Sequence, residues 1–413
     1  MRRIVPVLRL PDACLMVDTA QFDLFPPGAV VAPVLLPAGV EHPSTATRRV
    51  LHVINGEHYS GAERVQDLLA QELPQFGFEV EFACLKPDRF PLVRQSRAAA
   101  IHNTPMSWRF DIRCVRQLSR LIQNEKFALV HAHTPRSVLV GGLAARHAGV
   151  PLIYHVHSPT KRDSTRRFQN LVNAMLESWS LRYAARLIAV SPSLKRLMQA
   201  QGFSADRVTY VPNGVPRQAV GQRQPPDKVW TLGIAALFRP RKGIEVLLES
   251  LAMLRSRDFD VRLRAVGPFE TPAYEAEVRA LVDRLGVGDI ITWTGFVTDV
   301  QAELQQIHLM ILPSLFGEGL PMVILEAMAA GVPVVASHVE GVPEAIVHRE
   351  NGLLVEPASV SQLANAIEEI IDGDELDYAQ LSQNAFQRHA ECFSAQAMAA
   401  DVAEVYREVL NVE

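Results

Sequence analysis

The sequence predicts an α/β protein with two domains, each a doubly wound parallel sheet, facing each other across a cleft. Three observations predict it. Short apolar runs of strand length alternate with helical stretches, which is the pattern of parallel βα units. A polar stretch at 216–229 that contains Pro and Gly interrupts the alternation, and the pattern then restarts. The 413 residues are also enough for two domains of ordinary size.

The first domain is predicted over residues 48–215. A loop with Gly56 and Gly61 is expected to lead from its first strand into a helix over 62–73. Its strands are expected in the apolar runs RVLHVIN (49–55), FEVEFACL (78–85), FALVHAH (127–133), PLIYHVHS (151–158), RLIAVS (186–191) and RVTYVPNG (207–214).

The second domain is predicted over residues 230–394, after the linker at 216–229. The segment 395–413 carries a last helix, long enough to cross back to the first domain. The strands of the second domain are expected in WTLGIAAL (230–237), DVRLRAVG (260–267), IITWTGF (290–296), HLMILPS (308–314) and VPVVAS (332–337). Two such Rossmann-like domains place a crevice between the carboxyl ends of their strands, and this crevice is the expected ligand site.

Composition excludes several other classes. A hydrophobic content of 48% and a charged content of 21% are typical of a globular protein. The four cysteines are scattered, which argues against a disulfide framework or a zinc ribbon and favours a reducing compartment. No apolar run approaches the length of a membrane span, and Pro6, Arg9, Pro11 and Asp12 interrupt any signal-peptide core. We therefore expect a cytoplasmic protein. Residues 1–47 hold seven prolines and are expected to form an irregular extension without an assigned role.

Charge divides unevenly between the two halves. Residues 48–215 hold 23 Lys and Arg against 12 Asp and Glu, a balance of 23 − 12 = +11. Residues 216–413 hold 15 against 29, a balance of 15 − 29 = −14. The basic half suggests an anionic partner, such as a membrane surface, a phosphate-bearing acceptor or nucleic acid.

The stretch FGEGLPMVILEAMAAG (316–331) predicts a loop that runs into a buried helix. Gly317 and Gly319 mark the loop, and Pro321 suits the first helical position. The free amides at such a helix start point into the crevice and favour an anion such as a diphosphate. Glu326 interrupts an otherwise apolar helix. A carboxylate at this depth can accept hydrogen bonds from the hydroxyls of a sugar or ribose, and a buried carboxylate without a partner is costly. The alternative is that Glu326 pairs with a lysine or arginine or reaches solvent.

With these residues the chain resembles the group-1 (family 4) retaining glycosyltransferases of the GT-B fold, from about residue 49 to 410. The most specific match is EGLPMVILEAMAAGVPVVAS, which carries Glu318 and Glu326 at the E-x7-E spacing of the family. Weaker matches follow the family's order: SGAER (60–64), HVHS (155–158), VSPSLK (190–195), VPNGV (211–215), RPRKG (239–243), TGFV (294–297) and NGLLV (351–355).

The resemblance implies a role for each matching position. Glu318 would contact hydroxyls of the donor sugar, and Glu326 would bind the ribose of the nucleotide. The diphosphate and its surroundings would be held by the backbone of Gly319, Leu320, Met322 and Val323, by Lys242, and by the turn at Ser60 and Gly61. Among the amides we favour those of Met322 and Val323, since Pro321 has no N–H. His157 would lie near the reacting carbon, and no metal or other cofactor is expected.

The chain departs from the family at three places. An arginine usually follows a glycine after the first strand of the second domain, and Ala236 and Leu237 stand there instead. Arg239 or Arg241 would supply the missing cation, and we favour Arg239. The usual Gly-x-Gly is Gly267-Pro268-Phe269, and SGAE replaces a more common double glycine.

Two other patterns suggest a metal or a membrane. The strings at 258–260 and 372–374 read Asp-x-Asp, but we interpret both as surface turns. The pairs His131/His133 and His155/His157 we interpret as core or crevice packing and not as a zinc site. A helical stripe of arginines either is an ordinary solvated face or rests on anionic lipid. It comprises Arg109, Arg113, Arg116 and Arg120, with Lys161, Arg162, Arg166 and Arg167 added from a later loop.

The sequence therefore predicts a retaining, metal-independent hexosyltransferase that acts in cell-surface polysaccharide or glycolipid synthesis. Its expected partners are a nucleotide-sugar donor, a sugar or lipid-linked acceptor and an anionic membrane surface at the inner membrane face, with no nucleic acid. The alternatives are a sugar-nucleotide epimerase or phosphorylase of the same fold, or a non-catalytic module that binds a nucleotide or glycan. The changed Leu237 position favours the last.

Overall fold

The structure is a computed structural model that describes residues 47–108, 111–158, 180–219 and 223–412. Residues from Thr47 to the C-terminus form one compact unit. The predicted extension at 1–47 lies, apart from Thr47, outside the described residues, and so do Arg109 and the added basic residues between 161 and 167.

The first sheet has seven strands in the described residues, all parallel, in the order β3-β2-β1-β4-β5-β6-β7. The strand order reverses direction between β1 and β4, and a ligand crevice forms at such a point in an α/β sheet. The strands are β1 (Arg48–Ile54), β2 (Phe78–Cys84), β3 (Ile101–Asn103), β4 (Leu129–Ala132), β5 (Leu152–Val156), β6 (Ala184–Ala189) and β7 (Val208–Tyr210).

The helices around this sheet begin at polar caps. Asp111 accepts hydrogen bonds from the amides of Arg113 and Cys114, and Thr134 and Ser191 cap the next two described helices. The helices are α1 (Gly61–Glu72), α2 (Arg89–Val93), α3 (Ile112–Asn124), α4 (Pro135–Ala148) and α5 (Pro192–Ala200).

The second sheet repeats the plan with six parallel strands in the described residues, in the order β10-β9-β8-β11-β12-β13. The order reverses between β8 and β11, next to the loop that carries Glu318. The strands are β8 (Trp230–Ala235), β9 (Val261–Val266), β10 (Ile291–Gly295), β11 (Leu309–Leu312), β12 (Val334–Ser337) and β13 (Gly352–Val355).

Eight further helices accompany this sheet or follow it in the described chain. They are α6 (Ile244–Ser256), α7 (Pro272–Leu285), α8 (Val300–Leu304), α9 (Met322–Ala329), α10 (Val342–Ala345), α11 (Val360–Asp372), α12 (Tyr378–Cys392) and α13 (Ala395–Leu410). Within the described part of the chain, no helix combines the length and the apolar character that crossing a bilayer would require.

The last helix, α13, packs on the first sheet. Tyr406 is fully buried there, and its ring meets Phe78 edge to face at 5.1 Å between centroids. The chain joins α12 to α13 beside Val215, which exchanges backbone hydrogen bonds with Phe393 and Ala395. One hydrophobic cluster runs from the first sheet through α13 to α9 of the second lobe. The two lobes therefore share part of their core, which holds the crevice walls in register.

Three elements escaped the sequence prediction. β3 has only three residues, two of them polar, and lies in a stretch where we predicted no strand. β13 coincides with the NGLLV motif, which we had not interpreted as a strand. α12 is a fifteen-residue helix capped by Asp377, ahead of the last helix that the sequence predicted, and no helix was predicted there.

Candidate active site

The loop from β11 to α9 forms one wall of the crevice. β11 is buried along its whole length, and α9 has one charged residue, Glu326, among apolar ones. Glu326 is 1% exposed and Glu318, in the loop, 5% exposed. Both carboxylates are thus held inside the protein, where each needs compensation.

Glu318 is compensated by two cations from the loop after β8. Its Oε1 accepts hydrogen bonds from Nζ of Lys242 at 2.5 Å and from Oγ of Ser314 at 2.6 Å. Nη1 of Arg241 lies 3.4 Å from the same oxygen and also donates to the carbonyl oxygens of Phe316 and Gly317. These contacts join the two loops that follow neighbouring strands β8 and β11.

The electrostatics of this cluster follow from its burial. Burial alone would raise the pKa of Glu318, but the charges of Lys242 and Arg241 outweigh it and lower the pKa from 4.5 to about 2. Burial lowers the pKa of Lys242, and the neighbouring arginines add to this effect while Glu318 opposes it. The result is a carboxylate that stays ionised between two cations at the crevice wall.

A third carboxylate orders the Glu318 loop from outside. Oε2 of Glu340 accepts from the amide of Gly317 at 2.8 Å and from that of Glu318 at 3.3 Å. Gly243 holds a positive φ of 66°, and a Cβ there would lie 2.1 Å from the carbonyl oxygen of Pro313. The two loops can pack this closely only because Gly243 has no side chain.

Glu326 meets the first lobe. Its Oε1 accepts a hydrogen bond from Nη2 of Arg64 on α1, while its Oε2 is buried without a partner among the described residues. Burial lowers the pKa of Arg64. The structure therefore shows the alternative weighed for Glu326, pairing with an arginine. The second oxygen of the carboxylate remains available for a ligand hydroxyl.

The head of α9 faces the first lobe across a narrow gap. A Cβ on Gly319 would lie 2.0 Å from the carbonyl oxygen of His157, so the loops of the two lobes touch there. A Cβ on Gly61 would lie 3.8 Å from Cγ of Met322. The amide of Val323, next in the first turn, has no acceptor within the helix. The carbonyl of Leu320 accepts from Nδ2 of Asn213 at 2.8 Å.

The opposite wall of the crevice starts with α1. Ser60 and Gly61 are exposed at its N-terminus, and the carboxylate of Glu63 accepts from the Ser60 hydroxyl at 2.7 Å and from its amide at 3.3 Å. The structure thus brings the starts of α1 and α9 to the same crevice. Two helix N-termini near each other favour an anion between them.

Of the two arginines predicted to replace the missing cation, Arg241 lies against Glu318, and the role favoured for Arg239 stays a prediction. Nη1 of Arg239 lies 3.6 Å from Oε1 of Glu270, and its charge helps to lower the pKa of Lys242. Arg241 is 7% exposed and belongs to the support of the loop. Arg239 is therefore the more accessible cation, and Arg241 the structural one.

His157 lies at the floor of the crevice, just beyond β5. It is partly buried, and its Nε2 lies 3.0 Å from Nδ1 of His133. Burial lowers the pKa of His157 to about 3 and those of His133 and His155 well below their ordinary value, so these imidazoles are neutral. Next to them, His52 and His131 both bond the hydroxyl of Tyr406, at 3.0 and 2.6 Å.

The sequence interpretation missed Arg64 and Glu340. Arg64 belongs to the SGAER motif and lies one helical turn after Ser60, which was a usable signal for a side chain facing the crevice. Glu340 follows β12 in a strained backbone with φ 25°, and nothing in its local sequence indicates that it reaches back to Gly317.

Two family profiles match the chain. Residues 59–219 match the family described as Glycosyltransferase Family 4, and residues 229–373 match the family described as Glycosyl transferases group 1. The two matches cover the two lobes in turn.

Relatives and solved structures agree with the profiles. The chain is 28% identical to the MMP alpha-(1->4)-mannosyltransferase of Mycolicibacterium hassiacum, over 73% of this chain and 75% of the relative. It is 26% identical to the phosphatidyl-myo-inositol mannosyltransferase of Mycobacterium leprae, over 82% of this chain and 85% of the relative. The structure of Anabaena HepE in complex with UDP and glucose matches with a TM-score of 0.76 and 23% identity, over 86% of this chain and 98% of that one. The structure of sucrose-phosphate synthase from Thermosynechococcus elongatus matches with a TM-score of 0.76 and 21% identity, over 88% of this chain and 99% of that one.

The two facing parallel-sheet lobes and their crevice define the GT-B fold. The chain belongs to the group-1 (family 4) glycosyltransferases.

Proposed function

We propose that the protein is a retaining, metal-independent hexosyltransferase that takes its sugar from a nucleoside diphosphate donor bound in the crevice. The observation that carries this proposal is the arrangement around α9. A cation cluster of Lys242 and Arg241 surrounds Glu318 ahead of the helix, and the buried Oε2 of Glu326 lies unpaired on the helix itself. UDP is the first nucleotide to test, since it is bound in the matching Anabaena structure.

The positions suit a donor laid along the start of α9. In this proposal Glu326 accepts hydrogen bonds from the ribose, Met322 and Val323 offer amides to the diphosphate, and Glu318 binds a hydroxyl of the sugar. Fixed donors and cations of this kind stabilise the charge that develops on the departing diphosphate, and in a closed crevice they act at low dielectric. They also hold the bond to be broken in one orientation.

Metal independence follows in the proposal from the same cations. Lys242 and Arg239 supply the positive charge that a divalent ion would otherwise bring to the diphosphate. Glu318 is already engaged by Lys242, Arg241 and Ser314. It therefore acts as a positioning group, unlike the nucleophile of a glycosidase pair, which must face the anomeric carbon.

Arg64 adds a step to donor binding. Because it pairs with Glu326 across the two lobes, the ribose has to share the carboxylate with Arg64 or displace it. In the proposal the exchange couples nucleotide binding to the movement of the lobes, as in other enzymes that close over a substrate.

The test is turnover and binding with matched variants. Release of UDP from UDP-sugars is measured with excess EDTA for the wild type, Lys242→Ala and Lys228→Ala, an exposed lysine of the linker. We expect Lys242→Ala to lower turnover at least a hundredfold and Lys228→Ala to leave it unchanged. Loss of wild-type turnover in EDTA, or full turnover of Lys242→Ala, would contradict the proposal. GDP- and ADP-sugars follow if no UDP-sugar is used.

The same proposal includes an anionic membrane surface and a lipid-linked acceptor for glycolipid or cell-surface polysaccharide synthesis. Of the arginine stripe, Arg113, Arg116 and Arg120 are exposed on α3 and line a groove of about 720 Å³ against β3. None of the three forms an ion pair with another residue in the described ranges. At the start of α3, Trp108 is 60% and Ile112 61% exposed. Basic and bulky apolar side chains together favour an anionic bilayer surface.

Co-sedimentation with vesicles that contain anionic lipid tests this surface. The triple variant Arg113→Ala/Arg116→Ala/Arg120→Ala should lose at least tenfold in partitioning, because each basic residue near the surface contributes about 1 kcal/mol. The control triple variant Arg262→Ala/Arg279→Ala/Arg284→Ala removes exposed arginines from the second lobe and should bind as the wild type does. Equal binding of both triple variants would remove the membrane from the proposal.

A further inference from the structure

Three histidines lie together at the crevice floor, with one ring nitrogen of each close to those of the other two. His155 lies in β5, and His133 and His157 follow β4 and β5 directly. We call these three residues the cleft histidine triad. Their ring centroids lie 4.5 Å apart for His155 and His157, 5.1 Å for His133 and His155, and 5.3 Å for His133 and His157.

The ring nitrogens of the triad converge. One ligand atom from each histidine lies within 4.8 Å of the others, and Nδ1 of His133 is 3.0 Å from Nε2 of His157. Two nitrogens bound to one tetrahedral zinc ion, each at about 2.0–2.1 Å, are about 3.3 Å apart. One pair of the triad already has nearly this spacing, and the third nitrogen needs to move by about 1.5 Å.

Burial leaves the triad with unmet hydrogen-bonding needs. His155 is 0% exposed, and neither of its ring nitrogens has a partner among the residues that the structure describes. Nε2 of His133 is in the same state. A neutral imidazole has one donor and one acceptor, and each buried group left unpaired costs about 1–3 kcal/mol. A cation held through Nδ1 of His133 and one nitrogen of His155 would satisfy that nitrogen of His155, while Nε2 of His133 faces away from such an ion.

The neighbouring histidines differ from the triad. His52 and His131 both bond Tyr406 through one ring nitrogen, and both are 0% exposed. Their other ring nitrogens have no partner among the described residues, and with His133 they form a second group of convergent nitrogens, which is fully buried. His157 is only partly buried and opens toward the crevice. The triad therefore has an entry path that the deeper pair lacks.

We infer that the cleft histidine triad is a binding site for one divalent transition-metal ion, with Zn²⁺ as its natural representative. Imidazole nitrogens suit zinc, copper and nickel, whereas Mg²⁺ and Ca²⁺ require oxygen ligands. The site is thus chemically distinct from a magnesium site on a diphosphate, but it includes His157, which the family resemblance places near the reacting carbon. Three protein ligands leave a coordination position open to the crevice. An ion bound here would occupy one ring nitrogen of His157, and that nitrogen could then not bind a ligand in the crevice.

Zinc binding to the untagged, metal-stripped protein tests the inference. Equilibrium dialysis against Zn²⁺ is read by elemental analysis for the wild type, His155→Leu and His147→Ala, an exposed histidine of α4. We expect one zinc per chain in the wild type and in His147→Ala, and an affinity at least tenfold lower in His155→Leu. Equal affinity in the wild type and His155→Leu, or less than one zinc per chain in the wild type, overturns the inference.

A second measurement needs no variant and covers the case in which His155→Leu does not fold. X-ray absorption of the zinc-loaded wild type should give three imidazole ligands and no sulfur ligand. A thiolate in the first coordination sphere, or fewer than three imidazoles, overturns the inference. Thermal unfolding adds a further check, because an ion bound only to the folded protein raises the melting temperature with zinc concentration.

Discussion

Replacing Glu318 with glutamine is the sharpest test of the cation cluster. Glutamine keeps the shape of the side chain but removes the charge that Lys242 and Arg241 face. Both cations remain buried, with side chains 14% and 8% exposed. Removing one partner of a buried ion pair leaves an uncompensated charge in the interior. This destabilises the protein more than replacing both partners with apolar residues would.

The magnitude follows from the pKa of Glu318. Its fall from 4.5 to about 2 in the folded protein corresponds to about 3 kcal/mol of stability at neutral pH, at 1.36 kcal/mol per pKa unit. A group whose pKa is lowered by folding stabilises the protein above its unfolded pKa. That contribution is lost as the pH falls from about 4.5 toward 2, and about 2 kcal/mol of it is gone at pH 3.

The assay is urea unfolding at pH 7 and pH 3, followed by fluorescence of the tryptophans, of which Trp230 and Trp293 lie in the second lobe. Glu318→Gln should lower the free energy of unfolding by about 3 kcal/mol at pH 7 and by clearly less at pH 3. The control Glu249→Gln changes an exposed residue of α6 and should lie within about 0.5 kcal/mol of the wild type.

A double variant identifies the cause. Adding Lys242→Met to Glu318→Gln removes one of the stranded cations and should recover part of the lost stability. If Glu318→Gln has the same free energy of unfolding as the wild type at pH 7, or loses the same amount at pH 7 and pH 3, the electrostatic reasoning is refuted.

Two further predictions concern the packing of the lobes. Tyr406→Phe removes the hydroxyl bonded to His52 and His131. It should lower the free energy of unfolding, measured by chemical denaturation, by about 1–3 kcal/mol. A loss below about 0.5 kcal/mol would count against a structural role of this hydroxyl. Gly319→Ala puts a methyl group where the carbonyl oxygen of His157 lies, so small-angle scattering should show a more open molecule and UDP release from the donor should fall at least tenfold. An unchanged radius of gyration would show that the lobes do not touch there in solution.

The sequence predicted the strands that carry the site because their apolar runs are unambiguous. The apolar run HLMILPS predicted β11, and a stretch that is apolar except for one glutamate predicted the buried helix α9. β3 was missed because three residues with two polar side chains carry no periodicity. Its strand character comes from pairing with β2, which is a tertiary effect.

Contacts between neighbouring loops of the second lobe were easier to predict than contacts between the two lobes. Placing Glu318 and Lys242 at the crevice required only the family spacing and the ends of two neighbouring strands. The choice between Arg239 and Arg241 depended on which way each side chain leaves a short 3₁₀ turn, and the sequence does not encode that directly. Arg64 reaches Glu326 only because the lobes are docked, and docking depends on the shared core around α13.

The donor position along the start of α9 is tested most directly by a crystal structure of the protein soaked with the nucleoside diphosphate that the reaction releases, beginning with UDP. We expect ribose hydroxyls within hydrogen-bonding distance of Glu326, a diphosphate at the amides of Met322 and Val323, and Lys242 turned toward it. A nucleotide bound elsewhere, with Glu326 still paired only with Arg64, would contradict this placement of the donor.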